Sequence, residues 1–137
     1  MANETYSEKV SVNINSSTLS NIDLLVDNGY YSNRSDFINH ALRVALQQQQ
    51  STLDRIISKK EAAVTDNHPW FLGVYGMGPS TVEEWYEEGQ HLYFTGYGIM
   101  IIDESCDEEK LFATIKEINV KGKVFCSDAV KKHYGLK

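Results

Sequence analysis

The chain has 137 residues, with 13 basic and 19 acidic side chains for a net charge of −6, and 42% of it is hydrophobic. That length holds one ordinary domain or two small ones, and the apolar content excludes global disorder. No amino-terminal apolar run resembles a signal peptide and the longest unbroken apolar stretch, Ile99 to Ile102, is far short of a membrane span, so a cytoplasmic protein with no membrane partner is expected. Cys106 and Cys126 lack Cys-x-x-Cys spacing and give no disulfide framework.

Residues 1 to 7 are polar and unpatterned, as in a frayed arm. Lys9-Val10-Ser11-Val12-Asn13-Ile14 alternates, which predicts a strand with Val10, Val12 and Ile14 on a buried face and Lys9, Ser11 and Asn13 on an exposed one. Asn15, Ser16 and Ser17 supply cap chemistry for a helix whose Leu19, Ile22, Leu25 and Val26 fall at helical spacing, and Gly29 ends it. A second start signal, Ser32-Asn33-Arg34-Ser35-Asp36, precedes a broad apolar face of Phe37, Ile38, Ala41, Leu42, Ala45 and Leu46. One short strand and two short amphipathic helices cannot satisfy their backbone groups and bury their stripes alone, so this unit asks for a second copy. An obligate homodimer is expected.

After Gln47–Gln50 the spacing of Leu53, Ile56, Ile57 and Val64 predicts a helical linker over 49–67, and Asp66-Asn67-His68-Pro69 marks a boundary. Beyond it the pattern predicts strand Trp70–Tyr75, helix Ser80–Glu88, strands His91–Thr95 and Tyr97–Ile102, helix Asp107–Ile118, strand Lys123–Cys126 and helix Asp128–Tyr134. Apart from its last helix this is β-α-β-β-α-β, the order of ferredoxin-like and ACT-type modules. The expected fold class is therefore α+β: a dimeric βαα unit over 1–48, a linker over 49–67, and a small α+β regulatory or oligomerising domain over 68–137.

Through KVSVNI, the following helix and GYYSNRSDFINHAL, residues 9–46 resemble the ribbon-helix-helix superfamily, which includes the Arc, MetJ and CopG repressors. The resemblance implies that strands from two subunits pair into an antiparallel ribbon that enters the major groove of double-stranded DNA. Carried onto this chain, the base readers are Lys9, Ser11 and Asn13, and the phosphate clamp at the start of the second helix is Asn33, Arg34 and Ser35. The chemistry agrees: Lys donates to guanine O6 and N7, Asn pairs with adenine N6 and N7, Ser adapts to either, and a helix amino terminus favours an anion. The implied function is a nucleoid-associated transcriptional regulator that represses by occluding its operator, as a homodimer or a homotetramer. Charge is the departure, since over residues 1–48 only Lys9, Arg34 and Arg43 stand against Glu4, Glu8, Asp23, Asp27 and Asp36. Affinity must then come from a few placed cations, helix ends and the doubling of contacts in a dimer.

Other constellations are weaker. Gly76, Gly78, Ser80 and Thr81 lie in a glycine-rich turn between strand and helix, a candidate anion or ligand loop that matches neither the P-loop nor the dinucleotide fingerprint. The four histidines, His40, His68, His91 and His133, invite comparison with nickel-responsive regulators that join a ribbon-helix-helix domain to an ACT-like one, yet no local ligand cluster is visible and no metal site or cofactor is assigned. A metal or small-molecule effector is left open. Glu83, Glu84, Glu87 and Glu88 around Trp85 and Tyr86 read as a solvated acidic face, so no enzyme is expected. The alternative function is an antitoxin-like protein-interaction module that uses the first unit for dimerisation. Its usual tail is short and disordered, whereas this one has strand periodicity and two tryptophans.

Overall fold

The computed structural model describes residues 7–137, so most of the expected amino-terminal arm lies outside the described residues. The chain divides into two compact units, Met1–Ser58 and Lys59–Lys137. In the first, α1 spans Ser16–Asp27 and α2 spans Arg34–Gln48; α3, Gln50–Ala62, runs across the division. The second contains β1 (Trp70–Met77), α4 (Pro79–Glu87), β2 (Leu92–Ile102), α5 (Glu108–Thr114), β3 (Ile115–Phe125) and α6 (Asp128–Tyr134). Helices and a sheet in one chain make the protein α+β in the coarse sense.

The ferredoxin-like or ACT-like arrangement is wrong. The sheet has three strands in the order β1-β2-β3 and both pairings are parallel, whereas a ferredoxin-like sheet requires antiparallel neighbours. Two sequence signals misled. Gly96 reads as a turn between two strands, but β2 passes through it unbroken, because the ring of Phe71 packs where its Cβ would stand. Leu111, Phe112, Ile115 and Ile118 read as one helix, but α5 stops at Thr114 and Ile115 opens β3, where Ile118, Val120 and Val124 alternate inward.

The result is a β-α motif used three times, β1-α4, β2-α5 and β3-α6. The strands lie in fixed register, with rows Trp70/Thr95/Asn119, Leu72/Tyr97/Lys121 and Val74/Ile99/Lys123 running across the sheet. Gly73, Gly98 and Gly122 form one such row, each at positive φ (112°, 123° and 143°). A Cβ on Gly98 would collide with the Gly73 carbonyl and one on Gly122 with the Gly98 carbonyl, so close strand approach requires glycine here.

All three helices contribute to one core. Val82 of α4, Leu111 of α5 and Val130 of α6 join the inward residues Phe71, Met77, Leu92, Phe94, Met100, Ile102, Ile115 and Ile118 in a single buried cluster. Consecutive right-handed crossovers place their helices on the same side of a parallel sheet. At the carboxyl end Gly135 caps α6 in the left-handed conformation, and the Tyr134 hydroxyl donates to the Ile115 carbonyl at 2.7 Å, with the Leu111 carbonyl at 3.3 Å. Residues 59–137 thus carry their own core, unlike a disordered tail.

Candidate nucleic-acid interface

Residues 9–14 form no strand in the single chain, and the expected ribbon needs a strand from a second copy. A strand is defined by its ladder, and none of the described residues offers these six a ladder. The alternation nevertheless leaves a large apolar surface, with Val10 77% and Val12 70% exposed. Lys9, Ser11 and Asn13 are exposed as well.

The helices that follow are built by local capping. Asn15 accepts from the Ser17 amide at 2.9 Å and caps α1. At its far end Gly29 takes φ 82°, the Gly29 amide donates to Val26 and the Tyr30 amide to Leu25, a Schellman closure. Asn33 caps α2 by accepting from the Asp36 amide at 2.8 Å, while the Asp36 carboxylate accepts from the Ser32 amide at 3.0 Å. Tyr31 then packs edge-on against Phe37 at 5.0 Å between ring centroids.

Of the three residues placed at the phosphate clamp, Asn33 uses its side chain as the cap, and Arg34 turns back to α1. The Arg34 guanidinium donates from Nε and Nη2 to Oδ1 and Oδ2 of Asp23 at 2.8 and 2.9 Å. That fork holds the Asp23 carboxyl below its ordinary range and raises the arginine. Ser35 is exposed beside it. Any anion at this helix start would therefore meet backbone N–H groups in preference to the Arg34 side chain, with the Asp36 carboxylate close by.

The apolar stripe of α2 is uncovered. In α2 and α3 no residue is buried, and in α1 only Ile22 is. Leu24, Leu42, Val44 and Leu46 are exposed alongside Val10 and Val12.

The other candidates disperse. Gly76 belongs to β1; Gly78 is the N-cap of α4 without a side-chain bond, followed by Pro79 at the first turn, and Ser80 and Thr81 lie on that turn. Two cavities lie elsewhere in the second unit. One of about 290 Å³ is lined by Lys60, Trp70, Thr95, Tyr97, Asn119 and Lys121, and one of about 350 Å³ by Ile101, Asp103, Glu104, Phe125, Cys126 and Lys131. No three His, Cys, Asp or Glu residues come together as a metal site among the described residues. His133 stacks on Phe112 at 3.8 Å, His68 on Tyr93 at 5.1 Å, and His40 packs on Tyr31. Burial pushes both Cys106 and Cys126 upward, away from the thiolate form. No described helix is long and apolar enough to cross a membrane.

A capped helix pair with an open apolar stripe, preceded by an alternating segment, and a separate α/β unit with its own core define a two-part protein. The chain matches the model of the Ribbon-Helix-Helix transcriptional regulator family over residues 5–131, and it belongs to that family. The match runs through β3 and into α6, so the second unit is part of the family's pattern and not an appendage. No curated protein and no solved structure matches the chain.

Proposed function

We propose that the chain is a sequence-specific DNA-binding repressor whose residues 9–14 pair with those of a second copy as an antiparallel ribbon and read the major groove through Lys9, Ser11 and Asn13. The observation that carries this reading is the unburied surface of the first unit. Val10 and Val12, the alternate partners of the three polar readers, are exposed together with Leu42, Val44 and Leu46 of α2. Covering one such side chain is worth about 1.5 to 3 kcal/mol, so pairing two copies is strongly favoured over leaving these faces in water. Turning the valines inward places Lys9, Ser11 and Asn13 outward on one face of the ribbon, the geometry a major groove admits.

Backbone phosphates are met by the N–H groups of Arg34 and Ser35 at the start of α2, with Asn33 holding that turn in shape. Repression follows from occlusion of the bound site. The second unit sets spacing between bound dimers or responds to an effector, and its cavities give a small molecule somewhere to act.

Fluorescence anisotropy with DNA from upstream of the protein's own gene, against scrambled DNA across a salt series, tests the proposal. Selective binding that the Lys9→Ala/Asn13→Ala double variant loses is expected. Weak binding, indifferent to sequence and to the double substitution, would instead make the first unit a dimerisation device for a protein partner.

A further inference from the structure

Strand alternation turns Trp70, Thr95 and Asn119 away from the helical layer as one row of the sheet, with Leu72, Tyr97 and Lys121 as the next. The end of α3 and the segment after it border these rows and leave a groove. Lys60 of α3 lines the cavity of about 290 Å³ together with Trp70, Tyr97, Asn119 and Lys121, and an adjoining one of about 190 Å³ is closed by Ala63, Val64 and His68. The segment is fixed in place. The Tyr93 amide donates to the Asn67 carbonyl at 2.8 Å, the Thr95 amide donates to the Pro69 carbonyl at 3.1 Å, and His68 stacks on Tyr93. In a chain of net charge −6 the two cavities are lined by two lysines and by no aspartate or glutamate. Neither Lys60 nor Lys121 enters an ion pair among the described residues. Trp70 adds a second observation: its Nε1 is buried and has no hydrogen-bond partner, and a buried N–H without an acceptor is uncommon in a native fold.

We infer that this groove binds a small organic dianion, a dicarboxylate or a phosphate monoester. The donor set decides the class. Lys60 and Lys121 are charged donors, and Asn119, Thr95 and Tyr97 add neutral ones from the sheet. A cationic ligand would meet two like charges, and an apolar one would strip water from two ammonium groups and return nothing. An oxyanion instead takes charge-assisted hydrogen bonds from both lysines, with the rings of Trp70 and Tyr97 as walls. Size agrees, since about 290 Å³ sits near the lower end of small-molecule sites, about 300 Å³, and suits a ligand of a few carbons. Because one lysine stands on α3 and the other on β3, a bound dianion ties the end of that helix to the sheet. The inference deepens the effector role proposed for the second unit and rests on that reading for its effect on DNA, whereas binding itself uses the second unit alone.

Nitrogen–proton correlation spectra of the full-length protein test it. Two tryptophans give two indole signals, and Trp70→Phe identifies the one in the groove. Succinate and glycerol phosphate are the probes, with sodium chloride at matched ionic strength as the control. A saturable shift of the Trp70 indole signal at millimolar probe or below is expected, while Trp85, packed against Phe94 on the helical side of the sheet, stays unmoved. The probe that saturates first assigns the ligand to carboxylate or phosphate. Lys60→Gln/Lys121→Gln, with unchanged circular dichroism, should weaken binding by about tenfold per lysine, and Lys60→Arg/Lys121→Arg should keep it. No saturable shift with either probe, or the same shift with sodium chloride alone, would overturn the inference. Undiminished binding by the glutamine variant would overturn it too, since the anion would then sit elsewhere. Loss of DNA affinity in that variant, with no response to either probe, would make the groove a contact for the DNA backbone instead. Anisotropy with and without probe reads the effect on DNA separately, so failure of the repressor reading leaves the spectra unaffected.

Discussion

Arg34, at the first position of α2, grips Asp23 in the middle of α1 through both carboxylate oxygens, at 2.8 and 2.9 Å. This fork is a tertiary link between two helices, and it commits a cation that the family resemblance implies at the DNA backbone. Arg34→Ala should therefore loosen the helix pair, read as a lower midpoint in thermal unfolding, while the slope of log affinity against log salt stays unchanged. A slope reduced by about one would mean that the guanidinium leaves Asp23 for a phosphate.

The same pair predicts an acid response. Arg34 depresses the Asp23 carboxyl, so its contribution is present above the ordinary carboxylate range and fades as pH falls through the lowered value. Asp23→Asn should be less stable than the wild type at neutral pH, and the difference should vanish in strong acid. Both sites are solvent-exposed, so high salt should shrink the gap. Parallel acid titrations by circular dichroism check this.

Asn13→Ala should weaken operator binding by about 1 to 3 kcal/mol, the worth of one good bidentate base contact, with the assembled mass unchanged. Anisotropy and light scattering on the same samples separate reading from assembly.

Gly98→Ala should destabilise the second unit by more than about 2 kcal/mol, since a left-handed φ disfavoured for alanine adds to a collision with the Gly73 carbonyl. Gly89→Ala is the informative control. Gly89 also has positive φ, but nothing stands near its missing Cβ, so only the conformational part of the penalty applies. Denaturant unfolding of the full chain should rank Gly98→Ala well below Gly89→Ala.

Tyr134→Phe removes the hydroxyl that donates to the Ile115 carbonyl at 2.7 Å and should cost about 1 kcal/mol. Burial raises this phenol above its ordinary value, so the stability tied to its neutral form is complete below about pH 10 and is lost as pH rises further. The variant should accordingly resist alkaline unfolding better, relative to neutral pH, than the wild type. Base titration followed by near-ultraviolet absorbance reads both effects.

The family and the helices of the first unit were legible in the residues because their determinants are local. Asn15 caps α1, Gly29 closes it and Asn33 opens α2 through bonds between residues two to five positions apart, within reach of a sequence motif. Residues 9–14 were legible only as alternation, and the single chain gives them no ladder among the described residues. In the second unit most elements could be found but not their pairing, because parallel register is a long-range property and sequence does not announce which strand lies beside which. Gly96 shows why: a glycine that ends a strand and one that lets a phenylalanine ring press against the strand look identical until Phe71 is in place. The sequence by itself determined the capped helices of the first unit and the exposure of Lys9, Ser11 and Asn13. The three parallel β-α units and the commitment of Arg34 to Asp23 were decided by tertiary structure, because each depends on residues distant in the chain meeting in space.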